Sequence, residues 1–137
     1  MLKRLEHGMM AAGIAAALSL SAAPTSAQTA EEVAKIEAAM PAKATVQPEK
    51  PRKVLVFSQT LGFKHSSVPY AEKALEIMGR KTGAFTAETT TSMDVWDDDV
   101  LADYDAIVLN NNTGEHFTEE RTQAPLLNFV RNGKPLV

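Results

Sequence analysis

Three short apolar runs, each followed by a polar loop and then a helical stripe, set the pattern of this chain. Val54-Leu55-Val56-Phe57 is apolar without a break, as a parallel strand covered on both faces requires. Beyond it, Ala71, Ala74, Leu75 and Met78 recur at i, i+3, i+4 and i+7, a core-facing helical stripe. Pro69 suits the first turn of that helix, and Gly83 suits its end. Phe85 to Thr90 alternates apolar and polar residues and is rich in threonine, which predicts a second strand at a sheet edge. Asp94 is placed to cap a short turn or helix carrying Trp96, Val100 and Leu101.

Ala106-Ile107-Val108-Leu109 is the third strand, again apolar on both faces. Thr118 is positioned to cap a helix whose Ala124, Leu127 and Val130 point inward, with Gly133 just past its end. Pro125 falls inside that helix, where it must kink it or delay its start. Pro135-Leu136-Val137 then opens a fourth strand. The alternation predicts a doubly wound, mostly parallel α/β sheet with right-handed crossovers.

The residues before Lys53 read differently. Lys3 and Arg4, the apolar run Met9 to Ala23 and the small residues Thr25-Ser26-Ala27 have the layout of a cleavable export signal over residues 1–27. The run is shorter than the ~20 residues of a membrane span. Cleavage after Ala27 predicts a secreted or periplasmic product with no membrane span. Residues 28–52 carry a capping box, Thr29-Ala30-Glu31-Glu32. Val33, Ile36 and Met40 follow on one helical face, and Pro41, Pro48 and Pro51 hold the next stretch extended. This region reads as a short helix on a linker, either a spacer or a partner-binding helix. Residues 53–137 form the folded domain.

Charge and cysteine narrow the function classes. The 137 residues carry 14 Lys and Arg against 17 Asp and Glu. Loss of Lys3, Arg4 and Glu6 with the signal leaves a net charge of −4. With no basic stripe, nucleic acid is not expected as a partner. The absence of cysteine removes disulfides, lipoprotein attachment and thiol nucleophiles together.

The candidate chemistry lies in the two loops after the first and third strands. Ser58 to Ser67 and Asn110 to His116 leave the same edge of a parallel sheet, the edge where open α/β sheets bind ligands. They offer hydroxyls, amides, a lysine and two histidines, a set able to hydrogen-bond a polyhydroxylated ligand. Neither loop has a glycine phosphate fingerprint or a nucleophile elbow. His65 is either a general base or metal ligand, or a surface histidine at the start of the helix. Ser66 and Ser67 can contact ligand or cap that helix. Asn111, Asn112 and Thr113 can orient a substrate or simply make a turn. His116, in a charged loop, is expected to be solvated. His65, Glu115 and His116 lack the spacing of a metal motif, so no metal is assigned. Asp97-Asp98-Asp99 lacks calcium-loop spacing and reads as a helix-starting acidic run.

At these loops the chain resembles the trehalose-utilisation (ThuA-like) family. The likeness rests on KVLVFSQTLGFKHSSVP with its helix and on YDAIVLNNNTGEHFTEE with a helix ending in FVRNG. The resemblance implies a flavodoxin-like fold of the class I glutamine amidotransferase-like group, present as its N-terminal half and ending after the start of the fourth strand. Thr60, Gly62, Phe63 and His65 match the family's first loop, with Lys64 where arginine is common. Asn111, Asn112, Thr113 and Gly114 match its second. It implies a carbohydrate ligand and a role in disaccharide or sugar-derivative metabolism. Ligand contacts are then expected at Thr60, Lys64, Ser66, Asn111, Asn112, Thr113 and Gly114, with His65 as the acid/base candidate. The cofactor, metal dependence and whether the protein is an enzyme are left open. Glutamine amidotransfer is excluded, since its nucleophile is a cysteine. Gly133-Lys134-Pro135 stands where the family has a glycine run, and a sheet ending at Val137 would leave an open edge suited to self-association. The alternatives are a non-catalytic carbohydrate-binding or interaction module, and a non-functional fragment.

Overall fold

In the computed structural model, residues 28–137 are described. The predicted export signal lies outside the described residues. The elements are α1 (Ala30–Ala39), β1 (Lys53–Phe57), α2 (Val68–Thr82), β2 (Thr86–Thr90), a 3-10 turn (Met93–Val95), α3 (Asp98–Ala102), β3 (Ala106–Leu109) and α4 (Glu120–Arg131).

The three strands form an all-parallel sheet in the order β2-β1-β3. The chain therefore leaves β1 in one direction, returns past it, and builds β3 on the other side. The register pairs Val56 with Thr89 on one side and Val108 on the other, and Leu55 with Glu88 and Ile107. β2 is the edge strand, largely exposed. A fourth strand begins beside β3. Leu136 bridges Ile107 in parallel, Val137 N–H donates to the Ile107 carbonyl at 2.9 Å, and Leu109 N–H donates to the Val137 carbonyl at 2.9 Å. This is a flavodoxin-like α/β sheet with helices on both faces.

Alternation along β1 divides the core. Leu55, Phe57 and Ile107 join Val95, Trp96, Leu101, Tyr104 and Phe129 in one cluster under the 3-10 turn, α3 and α4. Phe57 meets Trp96 edge to face at 4.9 Å. Each such fully buried side chain contributes about 1.5–3 kcal/mol. The opposite face carries Val56 and lies under α2, whose Val68 and Ile77 are buried. Gly79 sits so close to the next strand that a Cβ there would lie 2.4 Å from the Phe85 carbonyl. Gly83 ends α2 in the left-handed region, φ 66°.

Four local expectations are corrected. The 3-10 turn is capped by Ser92 and α3 by Asp97, whose carboxylate accepts from Asp99 and Val100 N–H; Asp94 caps neither. α4 starts after Glu119 rather than Thr118, and Pro125 does not delay it. Its inward residues are Thr122, Pro125 and Phe129, whereas Leu127 and Val130 remain 48% and 44% exposed. Ser67 stands at the N-cap of α2, but its side chain makes no cap bond.

The capping box of α1 forms as its spacing predicts. Glu32 N–H donates to Thr29 Oγ1 at 3.2 Å, and Thr29 N–H donates to Glu32 Oε2 at 2.8 Å. Instead of standing away from the domain, α1 packs along α2, with Val33, Ile36 and Met40 half-buried. Among the described residues, no helix is long and apolar enough to cross a membrane.

Candidate functional site

The loops after β1 and β3 leave the carboxyl edge of the sheet together, and hydrogen bonds join them. Asn110, buried at the tip of β3, donates through Nδ2 to Ser58 Oγ at 3.0 Å and to the Val68 carbonyl at 3.1 Å. One amide thus ties both strand ends to the start of α2. Asn112 Nδ2 donates to the Gln59 carbonyl at 2.7 Å, and Thr113 Oγ1 donates to the Phe63 carbonyl at 2.9 Å. The Thr113 carbonyl accepts from Leu61 N–H at 2.8 Å and from Gly62 N–H at 3.1 Å. Asn111, in the left-handed region at φ 52°, donates from Nδ2 to Ser67 Oγ at 3.3 Å.

His116 is buried, not solvated. Its Nε2 lies 3.0 Å from the Thr113 carbonyl and its Nδ1 lies 3.1 Å from Gln59 Oε1. Its ring stands edge to face with Phe57 at 5.9 Å. The neutral tautomer with hydrogen on Nε2 donates to Thr113, and its Nδ1 accepts from Gln59 once that amide turns its NH2 inward. An imidazolium donates at both ends. Either way His116 braces the loop junction and is committed to it.

His65 lies differently. It is exposed, and its ring stands edge to face with Phe63 at 4.9 Å. Among the described residues, no group of three or more His, Asp or Glu is placed to hold a metal ion.

An open cleft of about 820 Å³ runs beside this loop, along α2 and the end of β2. Of the residues singled out from the sequence, Lys64, His65 and Ser66 line it. Thr60 is half-buried in the first loop, while Asn111, Asn112, Thr113 and Gly114 build the loop junction rather than the cleft wall. Sequence reasoning missed the remaining walls. Pro69, Glu72, Lys73 and Glu76 come from the outward stripe of α2, and Thr89 and Thr91 from the end of β2, whereas Ser58 begins the first loop already singled out. The spacing of that stripe was visible, but it is also the spacing of an ordinary solvent face. Val68, Tyr70 and Gln28 complete the lining.

The cleft has more apolar than polar lining and is balanced in charge, with Lys64 and Lys73 set against Glu72 and Glu76. Lys73 pairs with Glu76, and Arg80 approaches Glu76 at 3.9 Å. The start of α2 offers no cradle for an anion. Pro69 has no N–H, Val68 N–H donates to the His65 carbonyl at 3.2 Å, and the amides of Tyr70 and Ala71 both turn to the Ser67 carbonyl. A phosphate or carboxylate at a helix N-terminus needs those amides free. Tyr70 Oη donates to Glu32 Oε1 at 2.6 Å. That bond raises the phenol above its ordinary range, and it holds the Glu32 carboxyl below the usual carboxylate range with help from the Thr29 backbone.

A family model described as ThuA, trehalose utilisation, matches residues 53–137. No curated protein and no solved structure matches the chain.

Proposed function

The chain belongs to the ThuA trehalose-utilisation family, whose role lies in carbohydrate metabolism, and from that premise we propose that it holds a neutral saccharide in the cleft beside α2. The carrying observation is the character of that cleft. Hydroxyls, an amide, balanced charges and an exposed histidine line it at the carboxyl edge of the sheet, and the helix start beside it lacks free amides for an anion. Pairs of donors and acceptors suit vicinal hydroxyls, and the half-exposed ring of Tyr70 suits the apolar face of a pyranose.

His65 is the residue to take or return a proton on a sugar hydroxyl, since its exposed imidazole lines the cleft. Lys64 and Ser66 flank it as hydrogen-bonding groups. Thr60 and Asn111 to Gly114 serve the ligand indirectly in this reading, by holding the first loop in place. A non-catalytic binding module is the second reading, favoured by the His65 ring standing exposed against Phe63. The working compartment in this proposal lies outside the cytoplasm, as the pattern of residues 1–27 implies.

Titration calorimetry of the protein with trehalose and with trehalose 6-phosphate tests the reading. Saturable heat with trehalose and weaker binding of the phosphate is the expected result, with His65→Ala retaining part of the affinity. Equal or tighter binding of the phosphate would contradict a neutral-ligand cleft, and no binding of either would remove the saccharide assignment. The intact mass of the exported protein should correspond to a chain beginning at Gln28.

A further inference from the structure

We infer that Gln28, leading into α1 and ahead of the family-matched residues, is a fixed wall residue of the saccharide cleft, with Glu32 as the positioning residue that docks the start of α1 and holds Tyr70 and Gln28 in place. The inference rests on the saccharide reading of that cleft.

The family match begins at Lys53, so nothing in it accounts for α1. Yet α1 is held to α2 at both ends. At its start, Tyr70 Oη donates to Glu32 Oε1 at 2.6 Å. At its end, Lys81 Nζ donates to the Glu37 carbonyl at 2.6 Å and to the Met40 carbonyl at 3.0 Å, while Arg80 meets Glu37 at 3.3 Å. Carbonyls in the last turn of a helix lack intrahelical partners, so the lysine supplies what the helix cannot. These contacts join the start of α1 to the start of α2 and its end to the end of α2. The two helices therefore run parallel, with Val33, Ile36 and Met40 half-buried. A spacer would need none of this.

Glu32 connects that docking to the cleft, because its two carboxylate oxygens do different work. Oε2 accepts from Thr29 N–H at 2.8 Å and from Thr29 Oγ1 at 3.0 Å, closing the capping box. Oε1 accepts from Tyr70. One side chain therefore sets both where α1 begins and where the Tyr70 ring points. Gln28, the residue before the cap, lines the cleft from the approach to α1, and Tyr70, a residue 38% exposed, lines it from α2. A ring held at its hydroxyl presents a fixed face, and a fixed face selects among sugars by fit. A free ring would not.

The test is calorimetric binding of trehalose and of glucose to the whole protein and to three variants. Glu32→Ala removes both functions of the carboxylate. Glu32→Gln keeps one acceptor oxygen for the Thr29 N–H of the capping box and turns its NH2 to Tyr70 Oη, which then accepts instead of donating. Gln28→Ala removes an exposed-side wall residue and leaves the hydrogen-bonded core untouched. The wall predicts that Glu32→Ala and Gln28→Ala each weaken trehalose by about tenfold and narrow its preference over glucose, with Glu32→Gln within about threefold of the parent. If trehalose binds the parent and all three variants bind it equally, with unchanged preference, the wall is wrong and the saccharide reading stands. If Glu32→Gln fails as badly as Glu32→Ala, the positioning role of the Tyr70 bond is refuted. Should neither sugar bind the parent, the saccharide reading falls, and the wall falls with it.

Discussion

Substituting Gly114 by alanine tests whether the two loops are as closely packed as their hydrogen bonds imply. Gly114 lies at φ 91°, outside the conformations an alanine adopts comfortably. A Cβ built there would lie 2.8 Å from Leu61 Cβ and 3.3 Å from Gly62 N. Neither atom can swing aside as a side-chain tip would. Both belong to the segment whose N–H groups donate to the Thr113 carbonyl, so relief of the overlap must lengthen those bonds. The backbone strain costs about 1–2 kcal/mol, and the overlap adds roughly 1–3 kcal/mol. Gly83 provides the control. Its φ of 66° is also positive, but a Cβ there meets nothing within 4 Å, so Gly83→Ala carries only the strain. Urea unfolding of the two variants should therefore separate them by about 2 kcal/mol. At a slope of about 1–1.5 kcal/mol per M, the Gly114→Ala midpoint falls some 1.5 M below that of Gly83→Ala. Coincident midpoints would mean that the loops have room between them, and that the junction does not hold His65 and its neighbours in place.

The two histidines should separate by stability alone. His116→Ala leaves a buried gap and strips a donor from the Thr113 carbonyl, a loss of about 2–4 kcal/mol in urea unfolding, whereas His65→Ala at its exposed site should stay within about 0.5 kcal/mol. Similar losses for both would contradict the brace. Asp105 gives a pH signature. Lys53 N–H at 2.9 Å and the Arg52 guanidinium at 2.8 Å hold its carboxyl below the ordinary carboxylate range. A group depressed in the folded state contributes its stability above the unfolded value, near pH 4, and loses it as pH falls through the lower folded value. Asp105→Asn should therefore be less stable than the parent by about 1 kcal/mol at neutral pH, a figure reduced for partial exposure. The gap should close in strong acid, and a gap independent of pH would refute the assignment.

The parts legible in the sequence are those that local physics decides. β1 and β3 announce themselves as unbroken apolar runs, because a parallel strand covered on both faces leaves no position for a polar side chain. The capping box of α1 and the left-handed Gly83 at the end of α2 are equally local. α4 shows where locality ends. Its sequence holds two stripes, and Ala124, Leu127 and Val130 look the more apolar. The sheet takes the other, because it includes Phe129, the largest side chain available, and because Thr122 satisfies its own hydroxyl on the Glu119 carbonyl and so becomes buriable. His116 failed for a related reason. Its charged neighbours suggest solvent, but its surroundings are Gln59 and Phe57, almost sixty residues earlier, which no window around position 116 contains.

The same distinction explains why the candidate site was only half visible. Loop residues such as Asn112 and Thr113 attract attention because amides and hydroxyls after a strand are the usual furniture of ligand sites. Here those groups are spent on joining one loop to the other. The cleft takes much of its lining from α2, where Glu72, Lys73 and Glu76 have the pattern of any solvated helix face. Facing that stripe across the cleft are Gln28, just ahead of α1 and about forty residues away in sequence, and Thr89 and Thr91 at the end of β2. A polar stripe becomes a site only when other elements enclose it. That enclosure is a property of topology, and here it draws on Gln28, which lies outside the family-matched residues.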